Sequence, residues 1–157
     1  FLTTLSLFDS KYTGSDGVIR NTDFNGRYAV NALFAREFNL SKKSMISLGA
    51  KVTMVGGKWY GLPDIAASNQ AKELIVIDSL RNTEQFPDYF RADLKLNYRL
   101  NAKKTTHEIG IDLVNLLNTK NVLSLTYAPD ESNDPSKSIR REYQLGRLPL
   151  FYYRISF

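Results

Sequence analysis

Polar and apolar positions alternate along most of the chain with a period of two, as they do in strands whose successive side chains point to opposite faces. The clearest run is Tyr89 to Leu100. Arg91, Asp93, Lys95, Asn97 and Arg99 fall on one face, and Phe90, Ala92, Leu94, Leu96, Tyr98 and Leu100 on the other. A helix would scatter both sets around its circumference. In Arg27 to Leu40, Tyr28, Val30, Ala32, Phe34, Phe38 and Leu40 oppose Arg27, Asn31 and Glu37. In Ser44 to Val55, Ile46, Leu48, Ala50, Val52 and Met54 oppose Ser47, Gly49, Lys51 and Thr53. In Thr106 to Leu116, Ile109, Ile111 and Leu113 oppose Glu108, Gly110 and Asp112. The final run, Leu148 to Phe157, sets Phe151, Tyr153, Ile155 and Phe157 against Tyr152, Arg154 and Ser156. A weaker run, Phe1 to Phe8, has Phe1, Leu5 and Leu7 on one side. These runs predict an all-β chain of about six antiparallel strands, most near the roughly 9–11 residues that cross a bilayer at a tilt.

The connections between these runs alternate in length. Ser41-Lys42-Lys43 and Asn101-Ala102-Lys103-Lys104-Thr105 are tight turns. The stretches 9–26, 56–88 and 117–146 are long and carry turn chemistry such as Asp16-Gly17, Asn25-Gly26, Gly56-Gly57 and Asp134-Pro135. Loops of that length are uncommon in compact soluble domains. Short turns on one rim and long loops on the other are the anatomy of bacterial outer-membrane barrels.

Composition narrows the picture. No apolar run approaches the about 18 residues of a transmembrane helix, yet alternating barrel strands average to an ordinary mean hydropathy, here −0.31. Nine Tyr and nine Phe favour β structure. The absence of cysteine excludes disulfides and thiolate metal sites. The net charge of +5 is spread along the chain, with two Lys-Lys pairs in the short turns, and reads as solvated surface rather than a nucleic-acid or anionic-lipid interface. The chain begins at Phe1 without a signal sequence, which fits a mature or a truncated protein.

Enzyme chemistry is poorly represented. His107 is the sole histidine, so a multi-histidine metal site is excluded, and its place at a strand start near the apolar face reads as interfacial or solvated. Glu108 and Asp112 lie on one strand face about 13 Å apart, too far for a glycosidase carboxylate pair. There is no Gly-rich phosphate loop. The stretch Asp130-Glu131-Ser132-Asn133-Asp134 offers oxygen ligands for calcium but lacks EF-hand spacing. No catalytic residue, metal ligand or cofactor is expected.

Alternation alone does not say whether the apolar face meets lipid or a protein core. Three features favour lipid. Charge runs along the full length of a polar face (Arg91, Asp93, Lys95, Arg99), which suits a wet lumen. Aromatics stand near strand ends (Tyr28 and Phe38, Phe90 and Tyr98), as in interfacial girdles. The chain also ends on an alternating aromatic strand.

That ending, Leu150-Phe151-Tyr152-Tyr153-Arg154-Ile155-Ser156-Phe157, resembles the C-terminal β-signal of outer-membrane proteins, with Tyr153, Ile155 and Phe157 at the matching positions. Asp112-Leu113-Val114-Asn115-Leu116-Leu117-Asn118 resembles the Asn-Leu-Phe-Asn stretch near the end of TonB-dependent receptor barrels, with Leu117 in place of the usual Phe. Ser6 through Tyr12, Asp16-Gly17, Arg20-Asn21-Thr22, Phe24-Asn25-Gly26 and Asp88 through Asp93 resemble TonB-dependent receptors of Bacteroidetes. The resemblance covers nearly the whole chain and implies the C-terminal portion of a barrel of about 22 strands, without the plug or the TonB box. It implies residence in the bacterial outer membrane, with lipid around the barrel and insertion by the barrel-assembly machinery through the last strand. TonB would be met through an N-terminal region absent here, and surface lipoproteins or other complex subunits are candidate partners. Six strands cannot close so large a lumen, so this chain alone is not expected to transport.

With the last strand ending in the periplasm, the Lys-Lys turns are periplasmic and the long loops extracellular. Arg91, Asp93, Lys95, Asn97, Arg99, Glu108, Asp112 and Arg154 then face the lumen. Trp59 and Tyr60, with Asp64, form the candidate ligand-contact loop, since aromatics stack on sugars and aromatic chelators; packing beneath the loop is the competing role for them. Arg140 and Arg141 are candidates for an anionic ligand or lipopolysaccharide. The rival functions are a passive pore or a barrel subunit of a secretion or assembly complex, and a soluble β-rich ligand-binding domain.

Overall fold

The computed structural model describes residues 1–129 and 134–157. Among them, twelve strands run in chain order: β1 (Leu2–Leu7), β2 (Lys11–Thr13), β3 (Ile19–Asn21), β4 (Tyr28–Asn39), β5 (Ser44–Val55), β6 (Trp59–Tyr60), β7 (Glu84–Gln85), β8 (Tyr89–Asn101), β9 (Thr106–Val114), β10 (Val122–Tyr127), β11 (Ile139–Tyr143) and β12 (Leu148–Ser156). One helix, α1 (Ile65–Ala71), lies between β6 and β7. The described residues are all-β with antiparallel sheets, 55% strand and 8% helix counting the 3-10 turns Asp78–Leu80 and Pro135–Lys137, and among them no helix is long and apolar enough to cross a membrane.

The six strands expected from alternation form one sheet in the order β1-β4-β5-β8-β9-β12, a meander in which sequential long strands pair. Register confirms the two faces. Directly opposed residues share a face, and the pairs Phe34↔Ala50, Ala50↔Leu94, Leu94↔Leu113 and Leu113↔Pro149 run apolar across the sheet. One residue along, Lys51↔Asp93, Lys95↔Asp112, Arg99↔Glu108 and Glu108↔Arg154 run polar. The ladder is also staggered. β5 pairs with β8 from Val55↔Tyr89, whereas β8 pairs with β9 only from Leu94↔Leu113. Such stepping is what strands tilted to a common axis require. The sheet does not close: β1 and β12 each keep one unpaired edge.

The two short turns and Phe157 lie at one end of the sheet, since Ser156 pairs with Thr106 beside the Ala102–Thr105 turn. The three long connections lie at the other end. They are more ordered than their sequence suggests. The first folds back as the β2–β3 hairpin, the second contains β6, α1 and β7, and the third carries the β10–β11 hairpin. In β4 and β8 the strand half near the long connections is partly covered, while the half near the short turns is mostly exposed. Phe86, 6% exposed, is the one buried large hydrophobic side chain among the described residues. Among the described residues no hydrophobic core covers the apolar face of the main sheet: Phe151, Tyr153 and Ile109 are 76%, 61% and 56% exposed.

Candidate functional site

The eight polar candidates from Arg91 to Arg154 share one face, and six of them form three ion pairs there, while Asn97 is uncharged and Arg154 has no ion-pair partner among the described residues. Arg91 pairs with Asp93 at 3.0 Å, Lys95 with Asp112 at 3.4 Å and Arg99 with Glu108 at 3.4 Å. Tyr152 lies across from Gly110, which has no side chain to obstruct it. Its hydroxyl donates to Asn97 Oδ1 and to Glu108 Oε1, the latter at 3.2 Å. Lys95 Nζ sits 5.1 Å from the centre of the Tyr152 ring. Farther toward β4 the same face is floored by Gly49 and Ala35 and bordered by Leu33, Lys51, Lys95, Asp112 and Val114, leaving a depression of about 390 Å³. Three ion pairs therefore tie this face laterally, and Lys51 and Arg154 add cations without an ion-pair partner among the described residues, a surface suited to water or to a polar partner.

The loop-side rim is built on asparagines. Asn25, fully buried, accepts from Ser10 N at 2.9 Å and donates to Asp9 Oδ1 at 2.7 Å and Asn21 Oδ1 at 2.9 Å. Asn82 (φ 55°) ties the second long connection to the first through Asn21 O and Asp23 Oδ1, both at 2.8 Å. Asn121 clamps the Phe90 backbone, accepting from its N–H and donating to its carbonyl at 2.9 Å each. Asn115 and Asn118 adopt φ of 52° and 54°, left-handed values that asparagine tolerates better than most residues. Asn115 accepts from Thr119 N at 2.9 Å and donates to Thr119 O at 3.0 Å and Leu145 O at 3.2 Å. The Asn-Leu-Leu-Asn stretch thus acts as a hydrogen-bonded corner closing β9. Gly26 and Gly56 approach so closely that a Cβ on either would overlap the other's carbonyl.

Two acidic groups in the first long connection are held ionised. The Arg20 guanidinium binds Asp16 through both carboxylate oxygens, at 2.9 and 2.6 Å, and holds its pKa down to about 2. Lys11, at 2.8 Å, and then the Asn25 amide keep Asp9 below the usual carboxylate range.

The aromatic candidates occupy structural positions. Trp59 donates its indole N–H to Asn25 O at 2.8 Å, and Tyr60 stacks on Phe86 with ring centres 4.1 Å apart. Asp64 caps α1, accepting from Ala67 N at 3.0 Å. Trp59 and Tyr60 still border a cleft of about 230 Å³ with Asp23, Lys58, Arg81 and Leu123, while Asp64 lies outside it. His107 stands on the apolar face, with Nδ1 2.7 Å from the Tyr153 hydroxyl and Nε2 2.9 Å from Thr105 Oγ1. The oxygen-rich stretch 130–133 lies outside the described residues; Asp134 binds Ser136 N and Oγ, at 3.0 and 2.7 Å. No group of three His, Asp or Glu side chains able to hold a metal occurs among the described residues. Arg141 sits across from Leu125, and Arg140 across from Thr126, on the β10–β11 hairpin.

The asparagine network was not anticipated from sequence, although the Asn-Gly, Asn-Thr and Asn-x-x-Asn pairs were available as turn signals. Comparison of the chain with protein-family models, with curated proteins and with solved structures finds no match in any of the three.

Proposed function

We infer that this chain forms part of the wall of a TonB-dependent receptor barrel in the bacterial outer membrane. The intact protein would import a scarce nutrient such as a siderophore, metal complex, saccharide or peptide. One observation carries the reading. A staggered sheet of long strands leaves its apolar face uncovered among the described residues, while its opposite face carries charge along its length and ties six of those charges into three ion pairs. In water such a sheet would expose an apolar patch far beyond the few hundred Å² tolerated on monomers. In a bilayer the same face is solvated by lipid, and the polar face lines an aqueous lumen.

The two open edges support completion by further strands, since an unpaired edge within lipid leaves backbone donors and acceptors unsatisfied. Under this reading the interlocked long connections form the extracellular surface. The cleft at Trp59 and Tyr60 belongs to that surface, and the charged polar face surrounds the plug. The last strand, with Tyr153, Ile155 and Phe157 on its lipid face, is what the barrel-assembly machinery would engage.

The test is to isolate the native protein from fractionated cells, measure its intact mass and assay its binding to the C-terminal domain of TonB. The receptor reading predicts an outer-membrane protein several hundred residues longer than this stretch that binds TonB. A membrane-resident protein without TonB binding would replace it with a passive pore or an assembly subunit. Recovery in the soluble fraction without detergent would replace it with a soluble binding domain.

A further inference from the structure

One charge interrupts the apolar face. Arg36 on β4 follows Phe34 and precedes Phe38 on that face, level with Leu48, Leu96, Ile111 and Phe151 across the sheet. It makes no ion pair with an acidic group among the described residues. Its guanidinium instead lies over the Phe38 ring, 5.1 Å from the centre. Because β4 runs toward the short-turn rim, that contact aims the charge rimward along the strand. A basic side chain within an apolar surface reaches in this way toward the nearest polar layer.

The rim it reaches toward is cationic. Lys42 and Lys43 occupy one short turn, and Lys103 and Lys104 the other; all four are exposed. The turns adjoin, with Asn101 N donating to Lys43 O at 2.7 Å. None of the four lysines has an ion-pair partner among the described residues. Nearby carboxylates do not offset them: Glu108 is bound to Arg99, and Glu37 lies on the polar face. Phe38, Tyr98 and Tyr153 stand in one row across the apolar face, separated by Ile46 and Ile109.

We propose that the short-turn rim binds anionic phospholipid, with Arg36 and the two Lys-Lys turns contacting headgroup phosphate above the Phe38–Tyr98–Tyr153 row. This inference rests on the membrane-spanning reading and specifies the lipid of the leaflet at that rim. Arg36 supplies a fork suited to one phosphate, and the lysines supply a field, each worth about fivefold in association with an anionic surface.

The experiment reconstitutes the intact protein in phosphatidylcholine bilayers carrying a trace of spin-labelled phosphatidylglycerol or spin-labelled phosphatidylcholine. Electron paramagnetic resonance then gives the motionally restricted fraction of each. The wild type should retain phosphatidylglycerol about threefold or more over phosphatidylcholine at low salt. Combined Lys42→Gln, Lys43→Gln, Lys103→Gln and Lys104→Gln should remove most of that preference, and Arg36→Gln the remainder. Salt at about 1 M should mimic the lysine substitutions, because screening then acts within about 3 Å. Restricted lipid without headgroup preference, unchanged by these substitutions, overturns the inference and leaves the membrane reading standing. Absence of any restricted lipid overturns both.

Discussion

Asn115 concentrates the rim's architecture in one side chain, and its replacement gives a quantitative test. It is 1% exposed, holds φ at 52° and makes three side-chain hydrogen bonds, while its own N–H donates to Asp93 Oδ1 at 2.9 Å. Asn115→Ala strands the Thr119 N–H and two carbonyls, at about 1 kcal/mol each when the lower end of the desolvation range is used. It also places a Cβ-bearing residue without asparagine's local hydrogen bonding in the left-handed region, about 1 kcal/mol more. The sum is about 4 kcal/mol of local stability. Asn115→Gly keeps the backbone free to adopt that φ and loses only the hydrogen bonds, about 3 kcal/mol. Amide hydrogen exchange at Thr119 reads both. Alanine should accelerate it roughly a thousandfold and glycine roughly a hundredfold, up to the ceiling set by local opening. Exchange in the middle of β5 should not change. Equal protection of Thr119 in all three proteins would refute the claim that this side chain holds the corner.

Other outcomes follow from the same geometry. Gly56→Ala forces a Cβ into the Gly26 carbonyl, so yield of folded protein should collapse, whereas Gly17→Ala, facing open space at φ 75°, should cost only about 1 kcal/mol by thermal unfolding. Asp16 titrates at about 2, below its ordinary 3.8. The depressed folded value means its contribution is present above about pH 4 and is lost as pH falls through 2; exchange across the β2–β3 hairpin should quicken over that window, and Arg20→Gln should move the Asp16 titration back toward 3.8. Deleting Phe157 should reduce insertion into the outer membrane, measured by protease resistance in whole cells; undiminished assembly would remove the β-signal from the account.

The long strands were legible because twelve or thirteen residues give alternation room to repeat: β5 spans Ser44–Val55 as expected, and β8 ends one residue beyond its expected limit. The elements inside the long connections were not. β2, β3, β6 and β7 are two or three residues long, too short to display a period, and they exist because asparagine side chains and paired glycines fix the backbone around them. Two of the elements do carry a sequence signal. Val122-Leu123-Ser124-Leu125-Thr126-Tyr127 alternates and forms β10, and Pro63-Asp64 ahead of Ile65-Ala66-Ala67 is a helix start. The polar candidates were placed on one face by periodicity alone. The ion pairs across strands were not readable, because they depend on register, which pairs Lys95 with Asp112 and Arg99 with Glu108. Trp59 and Tyr60 look like exposed contact residues in sequence. In the fold their polar atom and ring meet Asn25 and Phe86, positioned from distant parts of the chain.

The central claim is that the apolar face meets lipid and the polar face meets water. The chain contains no cysteine, so single cysteines can be introduced along β8 and labelled with the environment-sensitive fluorophore NBD in reconstituted vesicles. Labels at Ala92, Leu94, Leu96 and Tyr98 should emit at short wavelength and be quenched by nitroxide lipids. Labels at Asp93, Lys95 and Asn97 should be quenched by aqueous iodide instead, giving a period of two in both signals. If the apolar positions are shielded from both quenchers, or are reached by iodide, that face is packed against protein or exposed to water, and the barrel account is contradicted.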